Sequence, residues 1–130
     1  MKIFALLHAT FLISDLERSR NFYEALLGWV PCSARPDLGF SGVWYDLGVN
    51  QQIHLMQVPN PEEGLQRPQH GGRDRHVALA VSDMEELIRR LDVAGIAYTL
   101  SRSGRRALFC RDPDGNALEF IETRSHSLAI

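Results

Sequence analysis

The chain has 130 residues, 14 Lys plus Arg against 16 Asp plus Glu, a formal net charge of −2 and 45% hydrophobic residues. That length predicts one compact domain, because domains commonly run about 100 to 200 residues and one of this size buries roughly two thirds of its unfolded surface. The slightly acidic balance provides no broad cationic field for phosphates, which argues against nucleic acid and leaves small molecules as the expected partners.

In chain order, the first feature is an apolar N-terminal stretch, Ile3 to Leu7 and Phe11 to Ile13, behind Lys2. His8 and Thr10 interrupt it, no small-residue cleavage site follows, and the run is too short to span a bilayer. It reads as a first strand in a cytoplasmic protein without membrane association. A helix is expected over about Leu16 to Leu27, where Leu16, Ser19, Phe22, Tyr23, Leu26 and Leu27 share one face and Gly28 ends the run. Strands are expected at Trp29–Arg35, Val43–Leu47 and Gln51–Val58. Pro59 to Arg75, with three prolines and three glycines, reads as a long connection.

Beyond it the pattern repeats. Residues 8–15 read HATFLISD and residues 76–83 read HVALAVSD. Ser14 with Glu17 and Ser82 with Glu85 both spell S-x-x-E, which predicts a capping box with serine as the cap. The second helix is expected over about Met84 to Ala94, burying Met84, Leu87, Ile88 and Leu91 and ending at Gly95. Strands follow at Ala97–Ser101, Ala107–Arg111 and Ala117–Thr123, the last two joined by the turn Asp112-Pro113-Asp114-Gly115-Asn116. Each half is therefore β-α-β-β-β within an α+β fold. Module one spans about 1–58, the connection 59–75, module two about 76–123 and a C-terminal tail 124–130. Cys32 and Cys110 are too few for a disulfide scaffold and read as reduced residues in or near the core.

Four polar side chains interrupt otherwise apolar strands: His8, His54, His76 and Glu119. His8 and His76 open the first strand of each half, and His54 and Glu119 sit in the last. Singly, a histidine on a strand is more often a hydrogen-bonded core residue than a ligand, and His70, in the Gly-rich connection, and His126, in the C-terminal tail, are not read as ligands either. Equivalence across the repeat is what sets the four apart. Imidazoles and a carboxylate turned toward one another are costly to bury unless a divalent metal satisfies them, and this set suits zinc, nickel, manganese or iron with positions left for water or substrate.

These residues resemble the vicinal oxygen chelate superfamily, which includes glyoxalase I, fosfomycin-resistance proteins, extradiol dioxygenases and bleomycin-binding proteins. The resemblance covers roughly Phe4 to Glu122 and rests on HATFLISDLERSRNFYEALLG (His8–Gly28), QIHLMQ (Gln52–Gln57), DRHVALAVSD (Asp74–Asp83) and DPDGNALEF (Asp112–Phe120). It implies two tandem modules forming curved mixed sheets around one divalent metal, zinc or nickel first, and usually a homodimer. His8, His76 and Glu119 fall on the superfamily's most widely used ligand positions. His54 stands where glyoxalase I has a glutamate, so it is a ligand or a base, and Glu119 is the carboxylate left to move a proton. Leu12 and Val58 stand where glyoxalase I commonly places an arginine and an asparagine that touch glutathione.

Phe40, Trp44 and Arg105 are candidate substrate contacts, with Tyr45, Arg102 and Arg106 nearby; core packing for the aromatics and a solvated loop for the arginines are the simpler alternatives. The leading expectation is a glyoxalase I-like lyase or isomerase acting on a small substrate with vicinal oxygens through a metal-stabilised enediolate. The alternatives are a non-haem iron dioxygenase using His8, His76 and Glu119, and a non-catalytic drug- or metabolite-binding resistance protein.

Overall fold

A computed structural model describes residues 1–124. Residues 125–130, which hold His126 and all of the expected tail but Arg124, lie outside them. The chain divides into two compact units, residues 1–63 and 64–130, a few residues beyond the expected end of module one.

In the first unit, β1 (His8–Ile13) lies parallel to β3 (Gln51–Gln57), and β2 (Gly42–Leu47) pairs antiparallel with β3, giving the order β1-β3-β2. In the second, β4 (His76–Val81) lies parallel to β7 (Ala117–Glu122), which continues antiparallel through β6 (Ala107–Arg111) to β5 (Tyr98–Leu100). The repeat read from the sequence is a repeat of register. Thr10 opposes His54 as Ala78 opposes Glu119.

Alternation then fixes the two faces of each sheet. Val43, Tyr45, Ile53, Leu55 and Ile13 are buried in the first unit, and Leu108, Cys110, Leu118 and Phe120 in the second. The helix α2 (Met84–Val93) buries Met84, Leu87 and Leu91 and packs on β7. Tyr45 is fully buried and donates its hydroxyl proton to Glu24 Oε2 at 2.9 Å, tying the helical segment of the first unit to its sheet. Cys110 is buried and Cys32 half-buried, both as free thiols.

Four expectations need correction. The strand expected at Trp29–Arg35 does not form. Pro31 makes a single bridge to Tyr45, and Cys32 N donates to Trp44 O at 2.7 Å. A proline has no N–H to extend a ladder, so pairing stops after one rung and the first sheet keeps three strands. The first helix is α1 (Leu16–Arg20) only as far as Arg20, and Asn21–Leu26 continues as π-helix. The wider winding lets the sequence neighbours Phe22 and Tyr23 both be buried before Gly28 ends the run at φ 77°. The caps are aspartates, not serines. Asp15 accepts from Arg18 N and Asp83 from Glu86 N, each at 2.9 Å. Finally, the connection holds one turn of 3₁₀-helix at Gly71–Arg73.

A further parallel between the halves concerns helix entry. Gln57 Oε1 accepts from Leu16 N at 2.8 Å, and Glu122 Oε1 accepts from Met84 N at 3.0 Å. Each last strand thus satisfies one of the unpaired N–H groups at the start of the helix that follows the first strand.

Candidate metal centre

In the first unit, the sheet face opposite the Tyr45 core carries His8, His54 and Trp44. Trp44 opposes His54 across the β2–β3 pair. The three rings form a stack: His8 on His54 with centroids 4.1 Å apart, and Trp44 on the other side of His54 at 4.3 Å, with interplanar angles of 13° and 8°. His54 Nε2 is 2.8 Å from Gln52 Oε1, and the Gln52 amide nitrogen donates to Asp46 Oδ1 at 2.7 Å. With that amide so oriented, Gln52 Oε1 accepts from His54, which puts the proton on Nε2 and leaves the Nδ1 lone pair available. Burial lowers the His54 pKa, and the charges of His8 and Arg35 lower it further. A neutral imidazole is the form able to ligate a metal or accept a proton.

The second unit presents the equivalent positions. His76 Nδ1 is 2.8 Å from Asp74 O, so the carbonyl accepts its proton and Nε2 is left as the donor atom for a ligand. His76 Nε2 is 3.2 Å from Glu119 Oε2. Two donors each about 2.1 Å from one ion and subtending a tetrahedral to octahedral angle lie roughly 3.0–3.4 Å apart, so this pair has the spacing a metal asks for. Glu119 is buried at 5% exposure, and its other oxygen lies 3.9 Å from Arg105 Nη2. Phe109 opposes Glu119 as Trp44 opposes His54. The repeat therefore reaches a third position that sequence reading left unassigned in the second half. Phe109 meets His76 edge to face at 5.2 Å.

The structure thus pairs His8 with His54 in the first unit and His76 with Glu119 in the second. Among the described residues of either unit no third His, Cys, Asp or Glu side chain completes a metal-binding group. The donor chemistry fits a divalent ion: two imidazoles in one pair and an oriented imidazole beside a buried carboxylate in the other. Of the candidate substrate contacts, Trp44 and Arg105 adjoin ligand candidates, whereas Phe40 holds Arg35, its carbonyl accepting from Nη2 at 3.0 Å and its ring lying 5.3 Å from Cζ. Arg106 turns to Glu85 and Glu122, at 3.2 and 3.0 Å. Tyr45 belongs to the core.

His70, in the connection, is not among the expected ligands. It lies beside Phe109, with ring centroids 4.8 Å apart, and its Nδ1 is 2.6 Å from Thr99 Oγ1. Its position six residues before His76, in HGGRDRH, was the only available signal.

Duplicated α+β modules that present equivalent pairs of metal-type donors define a class of two-module chelate proteins. Residues 5–120 match the Glyoxalase/Bleomycin resistance protein/Dioxygenase superfamily, also called the vicinal oxygen chelate superfamily, and the chain belongs to it. It is 30% identical over 128 residues to a lactoylglutathione lyase of Haemophilus influenzae, covering 92% of this chain and 93% of that one. It is 29% identical over 123 residues to a protein named glyoxylase I 4 of Arabidopsis thaliana, covering 91% and 70%. A glyoxalase family protein from Bacillus anthracis superposes with a TM-score of 0.74 at 25% identity, covering 95% and 98% of the two chains. Among the described residues no helix is long and apolar enough to cross a membrane.

Proposed function

We propose that this chain is a metal-dependent lyase or isomerase of glyoxalase I type, acting on a small substrate with vicinal oxygens, with His8, His54, His76 and Glu119 as the donor set. The observation that carries the reading is the His76–Glu119 pair, whose 3.2 Å spacing and carbonyl-oriented imidazole suit a shared ion. The lactoylglutathione lyase relative supports the class of reaction. The whole chain is read as one functional domain, which the family match over residues 5–120 supports. Assembly as a homodimer and a cytoplasmic location belong to the same reading.

A zinc or nickel ion supplies Lewis-acid polarisation of neighbouring oxygens, which acidifies the adjacent C–H. The protein does the rest. Glu119, kept dry by its burial, takes the proton from carbon and returns it to the neighbouring carbon; His54, neutral and with a free Nδ1, is the alternative base. Trp44, stacked on His54, fixes that ring and offers an apolar surface to the substrate. Leu12 and Val58 supply none of the polar glutathione contacts that an arginine and an asparagine would make, which favours a substrate smaller than a glutathione adduct.

The hydrogen bond from His54 Nε2 to Gln52 leaves Nδ1 as that ring's one free nitrogen, and in a second reading Nδ1 serves as the base and stays off the ion. His8, His76 and Glu119 would then form the two-histidine, one-carboxylate set of non-haem iron oxygenases. Metal analysis of protein purified without added metal separates the two. Zinc, nickel or manganese without oxygen consumption supports the first, and iron with oxygen consumption supports the second. In either case Glu119→Gln should retain the circular dichroism of the wild type and weaken metal binding by at least about tenfold. Undiminished metal uptake in that variant would remove Glu119 from the site.

A further inference from the structure

Among the described residues of the second unit, the proposed donor set leaves one imidazole, His70, unused. His70 is half-buried, with Nδ1 2.6 Å from Thr99 Oγ1 and its ring edge-on to Phe109. Phe109 meets His76 with its other contact, so two histidines flank one phenyl ring. Thr99, Phe109 and Glu119 lie side by side across β5, β6 and β7, and their side chains therefore share the face that holds the ligand pair. His70 Nε2 has no hydrogen-bond partner among the described residues, and the residue is half-buried.

The backbone is shaped to hold this ring. A Cβ on Gly72 would lie 2.7 Å from His70 Nε2 and 3.2 Å from Phe109 Cζ, and one on Gly71 would lie 3.3 Å from Phe109 Cβ. Two successive glycines let the 3₁₀ turn press against Phe109 while the imidazole folds over it. The turn is in turn fastened: Arg111 donates to Asp74 Oδ2 at 2.8 Å and to Pro68 O at 2.6 Å, on either side of it. A histidine that merely filled space would need neither the threonine nor the glycines. Because it lies in the connection, His70 has no counterpart in the repeat, so it is an addition to the shared module and a place where this chain can be selective.

We propose that His70 and Thr99 form a polar subsite for an oxygen acceptor, above all a carboxylate, at the end of the substrate remote from its vicinal oxygens. Phe109 lies under the carbon segment between the two ends. With the Thr99 hydroxyl donating to Nδ1, the proton resides on Nε2, which donates to the incoming oxygen. Arg105, beside Glu119 on the same unit and about half exposed, adds positive charge for an anionic ligand. The substrate class is thus a small carboxylic acid that carries its vicinal oxygens a ring's width away. This subsite deepens the metal-centre reading and rests on it.

Two probes with the same vicinal oxygens separate the claims: catechol, and 3,4-dihydroxyphenylacetate, which adds a carboxylate across the ring. Binding of each to the zinc-loaded full chain is measured by calorimetry. The wild type is expected to prefer the acid by about tenfold, which corresponds to about 1.4 kcal/mol. His70→Ala should reduce that preference to less than about twofold, with zinc content and catechol affinity unchanged. Thr99→Val keeps the side-chain shape and frees the imidazole, so it should lower the preference by about threefold to fivefold without unfolding the strand. A wild type that takes up no zinc overturns the metal centre and the subsite together. Zinc-loaded protein that binds both probes equally, or variants that keep the full preference, overturn the subsite alone.

Discussion

Arg111→Met tests how the second ligand pair is held. The guanidinium donates from Nη1 to Asp74 Oδ2 and Gly115 O, each at 2.8 Å, and from Nη2 to Pro68 O at 2.6 Å. A hydrogen bond to an ionised group contributes about 1.5–3 kcal/mol and a neutral one about 0.5–1.5. Methionine keeps the apolar stem but none of the donors. The side chains of Arg111 and Asp74 are only 24% and 11% exposed, so solvent screens the pair partially. A net loss of about 2–4 kcal/mol is expected.

The loss has a pH dependence of definite sign. Burial acts to raise the Asp74 pKa, but the hydrogen bonds from Arg111 and the Arg75 N–H, with the charge of Arg67, bring it below the usual carboxylate range. Its contribution is therefore present above the unfolded carboxylate value and fades as pH falls through the lower folded value. Removing Arg111 shifts that fading to higher pH. Urea unfolding of metal-free protein followed by circular dichroism, at about pH 7 and then toward about pH 3, measures both effects. Tryptophan emission would be the wrong probe, since Trp29 and Trp44 both lie in the first unit. Because His76 Nδ1 depends on the Asp74 carbonyl, zinc affinity should also fall, by about 10–100-fold. A stability change below about 0.5 kcal/mol, the level of an exposed ion pair, would refute the view that this network fixes the loop.

Asp83→Ala should destabilise by about 0.5–2 kcal/mol in urea unfolding, whereas Ser82→Ala should change stability by less than about 0.5, because Asp83 is the side chain that accepts from the helix N–H. Tyr45→Phe should cost about 1–3 kcal/mol by removing the buried donor to Glu24. Glu24 is pushed up by burial but pulled below its usual pKa by Arg20 and Tyr45, so its contribution is lost as pH falls through the lowered folded value. Glu24→Gln should flatten that acid limb of the stability curve, and an unchanged limb would exclude the network as its source. Gly42→Ala should cost about 1–3 kcal/mol in the same assay, since the new methyl would meet the Leu55 carbonyl oxygen at 2.3 Å and Arg35 Nη2 at 2.9 Å.

The strongest sequence information lay in period and position. Helix and strand spacing placed β2, β3, α2, β6 and β7 within a residue or two at their ends, and the HATFLISD/HVALAVSD repeat anticipated the shared register. The missing strand at 29–35 shows what periodicity overlooks: alternating side chains suit a strand, but Pro31 withholds the N–H that pairing requires. The caps went to Asp15 and Asp83 because a serine and an aspartate stand side by side, and only the backbone path decides which of them is the cap. Of the candidate site, the four candidate ligands were legible as polar interruptions in apolar strands. Phe109 was hidden because an aromatic in a strand looks like core, and His70 because no repeat partner marked it.

Register also bears on the chemistry. His54 and Glu119 occupy the same place in the repeat, each opposed by an aromatic, Trp44 or Phe109. The first unit spends this position on a neutral imidazole and the second on a carboxylate. A divalent cation held by His76 and Glu119 would keep a net charge of about +1, because that pair carries a single carboxylate. A positive centre attracts an anionic substrate more strongly than a neutral one and stabilises negative charge that develops on oxygen. Arg105 acts in the same direction, lying 3.9 Å from Glu119 with half its side chain in solvent. The single carboxylate of the pair and the apolar Leu12 and Val58 therefore both favour, under the proposed function, a compact acid over a bulky thiol adduct.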